Sequence, residues 1–263
     1  MPVLHAIILG IVQGLTEVFP ISSSAHLVII PWIFKWPYQG LSFDVALHVG
    51  TAVAFCIYFF KDWVQIIKGA FAKEGQGRNN LFLCIVIGTI PAVLAGLILE
   101  KKAEFAFRSP LILAGMLFLF AIILWWADNS LGTKQKSLEE VNLKTAIFIG
   151  LAQMLAIIPG VSRSGITITA GLLKGFSREA AARFSFLLAT PIVFAAGLLK
   201  LSKLHPGDLT VSFWAGVLFS AISGFFAIGF LLNLVKRTSL KVFVFYRIAL
   251  AAFILVAFFS KLR

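Results

Sequence analysis

At 263 residues, 60% hydrophobic and 13% charged, with a mean hydropathy of +0.97, the chain carries more apolar surface than a water-soluble core of this length can cover. A net charge of +12 would suit a nucleic-acid binder, but Lys and Arg are scattered over short loops rather than gathered in one stripe, which leaves membrane topology and anionic lipid as uses of the excess. Cys56 and Cys84 each sit inside an apolar run, so neither a disulfide framework nor a cysteine metal site is expected.

The chain opens with two short apolar arms, 3–19 and 22–34, separated by Pro20 and serines; with no basic region ahead of them, they are expected to be retained rather than cleaved. Longer apolar runs follow at 41–60, 80–99 and 109–127, each able as a helix to cross a slab of about 30 Å. A second broken pair, 143–158 and 162–174, is interrupted at Pro159-Gly160, and further runs occupy 183–200, 212–233 and 242–260. The short arms reach only about 20–25 Å as helices, so each pair is expected to fold back as a re-entrant hairpin.

The predicted fold is therefore an all-α polytopic membrane protein with six transmembrane helices plus two re-entrant helical hairpins. Irregular backbone at membrane depth must face protein or a water-filled cavity, so the tips should point inward. An odd number of spans separates the hairpins, which turns a sequence repeat, with halves of about 1–127 and 141–263 in a single domain, into an inverted-topology repeat. The loops of Lys61, Lys73, Arg78, Lys134 and Arg237 outweigh those of Lys35, Arg108 and Lys203 in positive charge, which predicts the first set cytoplasmic and both termini outside.

The chemistry is concentrated at the tips. Glu17 is a carboxylate in an apolar stretch, costing about 2.5 kcal/mol or more to insert when ionised, and Gln13 lies four residues before it on the same helical face. The two could hold a cation or position a water, or Glu17 could pair with Arg163 for structure. Ser23 and His26 have the spacing of a hydroxyl nucleophile and its base. Ser22 suits a helix N-cap, and at the second tip Ser162, Arg163, Ser164 and Gly165 combine helix-start amides with a permanent cation, a combination suited to phosphate. Ser22, Ser24, Ser162, Ser164 and Gly165 are thus the expected substrate-binding positions, with Ser23, His26, Glu17 and Arg163 catalytic. Asp44, His48 and Arg247 could line the same cavity or sit at helix ends; His5 and His205 read as peripheral.

Gln13-Gly-Leu-Thr-Glu17 with Pro20-Ile-Ser-Ser-Ser-Ala-His26, together with Pro159-Gly-Val-Ser-Arg163-Ser-Gly165, resembles the bacterial undecaprenyl-diphosphate phosphatase family associated with bacitracin resistance. The likeness runs over essentially the whole chain and includes Tyr246-Arg247-Ile248; Ala25 stands where many members have Gly. The resemblance implies hydrolysis of the C55 polyprenyl diphosphate to the monophosphate carrier and inorganic phosphate. It also implies a divalent cation, Mg²⁺ or Ca²⁺, at Glu17 and Gln13, and a site in the bacterial inner membrane open to the outer side. The expected partners are that lipid and membrane lipids, with no nucleic acid; a homodimer is left open, as is the choice between a phosphoserine at Ser23 and direct attack by water.

A second class of lipid phosphatase, which places a His about six residues beyond its Ser-Arg, is disfavoured because Arg163 is followed by Ser164-Gly-Ile-Thr-Ile-Thr169. The stronger alternative is a transporter or flippase of a polyprenyl phosphate lipid, since inverted repeats with broken helices are transporter architecture. Ser23, His26 and Glu17 offer more chemistry than carriage requires.

Overall fold

The computed structural model describes residues 1–37, 40–71, 81–106, 109–201, 207 and 209–261. Lys73, Arg78, Arg108, Lys203 and His205 lie outside them. The principal helices are α1 (Val3–Val18), α2 (Ser23–Phe34), α3 (Leu41–Tyr58), α4 (Phe60–Ala70), α5 (Leu81–Ala106), α6 (Pro110–Asn129), α7 (Leu143–Met154), α8 (Arg163–Leu173), α9 (Arg178–Leu201), α10 (Val211–Arg237) and α11 (Lys241–Lys261). Among the described residues, five helices are long and apolar enough to cross a membrane, or six if α3 and α4, bent by 71° at their junction, form one span. The chain is a multi-pass membrane protein.

The run expected to continue through residue 60 breaks at Phe59 instead. Beyond it α4 interleaves Lys61, Asp62, Gln65 and Lys68 with Trp63, Ile66 and Ile67 and has no buried residue. Polar groups at that density cannot stay in hydrocarbon, so the chain turns away from the direction of α3, as amphipathic interfacial helices do.

Both short pairs break for the same reason. Proline disfavours helical geometry in the residue before it, and Phe19 before Pro20 (φ −71°, ψ 144°) and Ile158 before Pro159 (φ −79°, ψ 117°) are extended, whereas Pro31, Pro91 and Pro191 are carried inside helices. Each second arm then starts from a serine in the left-handed region, Ser22 at φ 75° and Ser162 at φ 73°. Such a conformation is uncommon for a residue with a Cβ and costs of order 1–3 kcal/mol, so the surrounding structure must hold both turns in place.

The pairs enter the bundle from opposite ends. Met1, ahead of α1, accepts a hydrogen bond from Ser212 at the start of α10, and His5 stacks on Trp36 just beyond α2. The outer ends of α7 and α8 lie at the finish of α10, where Lys136 bridges to Phe176 and Asp128 binds both Arg178 and the Leu240 amide. These loops belong to the lysine-rich set and share one end of the molecule.

Each first arm packs along a long helix through glycine. A Cβ on Gly10 would sit 2.5 Å from the Gly216 carbonyl of α10, and one on Gly150 would collide with the Gly88 carbonyl of α5. Gly14 meets the Ser220 carbonyl and the Gly224 amide in the same way. Leucine at Gly14 or Gly150 should therefore lower the thermal midpoint in detergent, by overpacking worth about 1–3 kcal/mol. Gly69→Ala, with nothing within 4 Å of the new Cβ, should leave it unchanged or slightly raised. Melting curves of the purified variants check the contrast.

Candidate active site

The two tips meet. Glu17, in the last turn of α1 and 6% exposed, accepts from the Arg163 guanidinium of α8 through Nε at 3.2 Å and Nη2 at 3.0 Å, both on Oε1. Its other oxygen accepts from Ser23 Oγ at 2.6 Å and Gln13 Nε2 at 3.2 Å, and lies 3.4 Å from His48 Nε2 on α3. Arg163 spends a third nitrogen on the Ser185 carbonyl at 3.2 Å and lays its cationic face over the buried Phe55 ring, 5.6 Å from its centroid. A buried carboxylate needs this many donors; removing one would leave a charge with incomplete compensation.

Ser23 and His26 do not pair as their spacing predicts. Ser23 gives its proton to Glu17, while His26 Nδ1 lies 2.7 Å from the Ser22 carbonyl and Nε2 lies 2.7 Å from the Tyr246 hydroxyl of α11. The physical reason is local: at the start of α2, His26 stands one turn after Ser22, whose carbonyl is the nearest acceptor, and the Ser23 hydroxyl is turned back toward α1. Because a carbonyl only accepts, Nδ1 of His26 carries a proton.

The remaining hydroxyls hold the tips in shape. Ser22 and Ser24 pair at 3.1 Å, Ser162 Oγ accepts from the Gly165 amide at 3.1 Å and lies 3.3 Å from Ser164 Oγ, and Ser164 donates to the Phe19 carbonyl of the other tip at 3.1 Å. Gly165 faces Arg247 rather than an open cleft, since a Cβ there would stand 3.0 Å from its guanidinium. Of the expected substrate-binding set, therefore, the side chains of Ser162 and Ser164 and the glycine are used internally.

Arg247 neither lines a cavity wall nor caps a helix end. It is fully buried, and its guanidinium donates to the carbonyls of Pro20 at 3.2 Å, Gly160 at 2.9 Å, Val161 at 3.1 Å and Leu117 at 3.2 Å. One side chain thus holds backbone from both tips and from α6.

The arrangement is a cluster of donors around one carboxylate, with a hydroxyl whose proton already points at that carboxylate. A metal has one candidate ligand to spare. Among the described residues no group of three or more His, Cys, Asp or Glu could hold an ion, but Gln13 Oε1 is buried and has no donor.

Comparison with known proteins decides the family. The model of bacitracin resistance protein BacA matches residues 6–253. The chain belongs to the BacA family. It is 50% identical over 261 residues to the undecaprenyl-diphosphatase of Moorella thermoacetica, covering 99% of this chain and 100% of that protein. It is similarly 50% identical over 267 residues to the one from Geotalea daltonii, covering 97% and 98%, and 48% identical over 259 residues to the one from Pelotomaculum thermopropionicum, covering 98% of each.

In this BacA-family chain, Tyr246 and Ser185 escape sequence reasoning as site residues and Arg247 escapes it as the tip holder. Tyr246 stands out in the sequence only as part of the Tyr246-Arg247-Ile248 resemblance, with no role attached, and Ser185 is one neutral hydroxyl on a helix that also carries Arg178, Glu179 and Arg183. His48 and Arg247 did carry a signal, because an ionisable residue inside a span is expected to have a functional partner.

Arg247→Met should strand several buried carbonyls, each worth about 1–3 kcal/mol when unsatisfied, and lower the thermal midpoint well beyond Arg247→Lys, which keeps a donor. Limited proteolysis at the 20–23 and 159–162 turns, run beside the melting curves, should show both turns opening together in the Met variant.

Proposed function

We propose that the protein is an undecaprenyl-diphosphatase, removing the terminal phosphate of the C55 polyprenyl diphosphate to release the monophosphate carrier and inorganic phosphate. The observation that carries the reading is the Ser23–Glu17–Arg163 contact: a nucleophile, the carboxylate that takes its proton, and the cation that receives a phosphoryl group meet at 2.6–3.2 Å across two helix starts. Full-length relatives bearing that activity in their names support it.

Phosphoryl transfer passes through a loose transition state, so positioning and charge stabilisation matter more than a strong base. Arg163 binds the diphosphate, aided by the free amides at the starts of α2 and α8. Ser23 Oγ attacks the terminal phosphorus, its proton moves to Glu17, and the bond to the polyprenyl monophosphate breaks. Glu17 already accepts the Ser23 hydrogen bond and so stands where that proton goes as it leaves late. This favours a phosphoserine over direct attack by water, with His26 reserved for its hydrolysis.

A divalent cation belongs to the same proposal. The unpaired Gln13 Oε1 is the hard oxygen that Mg²⁺ or Ca²⁺ prefers, and such ions draw further oxygens from a carboxylate and from substrate phosphates. Gln13 and Glu17 would hold it, and its chemistry would be to neutralise diphosphate charge. As Arg163 turns to the diphosphate, Glu17 Oε1 loses its donors and gains the freedom to do so.

We read α1–α2 and α7–α8 as re-entrant hairpins beside six spans, in one domain of two inverted halves, 1–127 and 141–263. The matched Pro20 and Pro159 breaks, the φ values of Ser22 and Ser162 and the Gly10–Gly216 and Gly150–Gly88 approaches support it. The protein would then sit in the bacterial inner membrane with its site open to the outer side.

Purified protein should release phosphate from undecaprenyl diphosphate, and EDTA should stop the release. Arg163→Ala and Ser23→Ala should each lower kcat/KM by about 100-fold or more, and acid-quenched wild type, but not Ser23→Ala, should carry phosphoserine. Lipid movement across proteoliposomes without phosphate release would replace the enzyme reading by a carrier.

A further inference from the structure

We propose that Tyr246 is a further catalytic residue, the group through which His26 exchanges a proton with the water that hydrolyses the phosphoserine; this rests on the phosphatase reading above. Hydrogen-bond roles lead to it. His26 is 6% exposed, and its Nδ1 proton is committed to the Ser22 carbonyl. Its only other polar atom, Nε2, is 2.7 Å from the Tyr246 hydroxyl, and the two rings lie nearly parallel, 13° apart with centroids at 5.7 Å. In the neutral imidazole Nε2 has a lone pair and no proton, so the phenol is the donor. Its oxygen keeps acceptor capacity for a second partner.

Tyr246 is 44% exposed and His26 6%, so Tyr246 is the less enclosed side chain of the pair. An aromatic belt tyrosine of the ordinary kind turns its ring to lipid and its hydroxyl to water or headgroups. Here the hydroxyl is turned inward onto a buried imidazole, a contact that membrane anchoring does not call for. The neighbouring residue, Arg247, fixes the register: it grips the carbonyls of Pro20, Gly160 and Val161, which sets α11 against both tips and holds the phenol over His26.

Water oxygen attacks the phosphorus of phosphoserine 23 and gives one proton to the Tyr246 oxygen, while the phenol proton passes to His26 Nε2. The bond from phosphorus to Ser23 Oγ breaks, and Oγ recovers the proton that Glu17 took in the first step. Inorganic phosphate leaves, and the His26 imidazolium returns its proton to solvent through the phenol.

The test uses full-length protein in detergent with undecaprenyl diphosphate as substrate. Tyr246→Phe should lower kcat by about 100-fold, the scale of one general base, with KM within about threefold, and should raise the fraction of chains trapped as phosphoserine. In a His26→Gln background the same change should cost nothing further. Replacing Tyr246 by 3-fluorotyrosine and 3,5-difluorotyrosine, which preserve the ring and its packing, should shift the phosphoserine decay rate in step with phenol acidity. A Phe variant with wild-type kcat and no added phosphoserine overturns the inference. So does a decay rate that stays flat across the fluorinated series, which would make Tyr246 a packing residue. If wild type releases no phosphate at all, the phosphatase reading itself fails, and the two failures are told apart by Ser23→Ala, which is inactive beside an active wild type only when that reading holds.

Discussion

The architecture depends on a single buried guanidinium. Two backbone turns, each with a serine in the left-handed region, face one another inside an apolar bundle, and their carbonyls have no helix to bond with. Water cannot serve them at low cost in such a place, and a buried carbonyl without a donor is expensive. Arg247 supplies donors in a rigid planar fork to Pro20, Gly160, Val161 and Leu117 at once. Lysine, with a single ammonium, could not span that set of acceptors. Burying the charge is tolerable because carbonyl dipoles from both tips and from α6 accept from all three of its nitrogens, and the strain at Ser22 and Ser162 persists because this fork ties down both turns.

With the tips held, the charge pattern of the site follows. Glu17 is the only carboxylate in contact with Arg163 among the described ion pairs, and His48 approaches the same carboxylate from α3. The carboxylate thus keeps the guanidinium compensated until an anion arrives. In the proposed mechanism a diphosphate exchanges one anionic partner for another rather than meeting a bare buried cation, which avoids the desolvation penalty that an unpaired charge would carry. The same exchange would free Glu17 for the serine proton in that mechanism.

Much of this was legible in the chain. Apolar run lengths located the long helices, most ends within four residues, although α5 runs on to Ala106 and α9 starts at Arg178, where charged residues extend the helix beyond the apolar run; Pro20 and Pro159 marked both breaks, because those signals are local: hydrophobic periodicity and the restriction that proline places on its predecessor. Glu17, Ser23, His26 and Arg163 stood out as polar groups where lipid would otherwise be; the structure puts Glu17, Ser23 and Arg163 in contact and turns the His26 ring to Ser22 and Tyr246 instead. What could not be read was which atom faces which. Spacing alone paired Ser23 with His26, yet helix starts let side chains bond to nearby carbonyls, and Ser22 took His26. The α3–α4 bend was missed because an apolar count through residue 60 does not see the amphipathic pattern that begins just after it. Tyr246 and Arg247 act across more than 200 residues of sequence, on His26 and Pro20, a relation no local pattern encodes.

The proposed repeat makes sense of an asymmetry. Both halves keep the proline break, the strained serine and a glycine approach to a long helix, and both keep a buried glutamine, Gln13 and Gln153. Four residues on, however, the first half has Glu17 and the second has Ile157, and the amide of Gln153 is left without a partner. The residue after the strained serine diverges too, Ser23 in one tip and Arg163 in the other. A symmetric site would place two carboxylates or two guanidiniums against each other at the meeting point, and like charges at that distance repel strongly in a low-dielectric interior. Dividing the roles, with the carboxylate and the hydroxyl on one tip and the cation on the other, turns the same closeness into attraction, and it is this division that lets two equivalent turns meet in the one site proposed for a phosphoryl group.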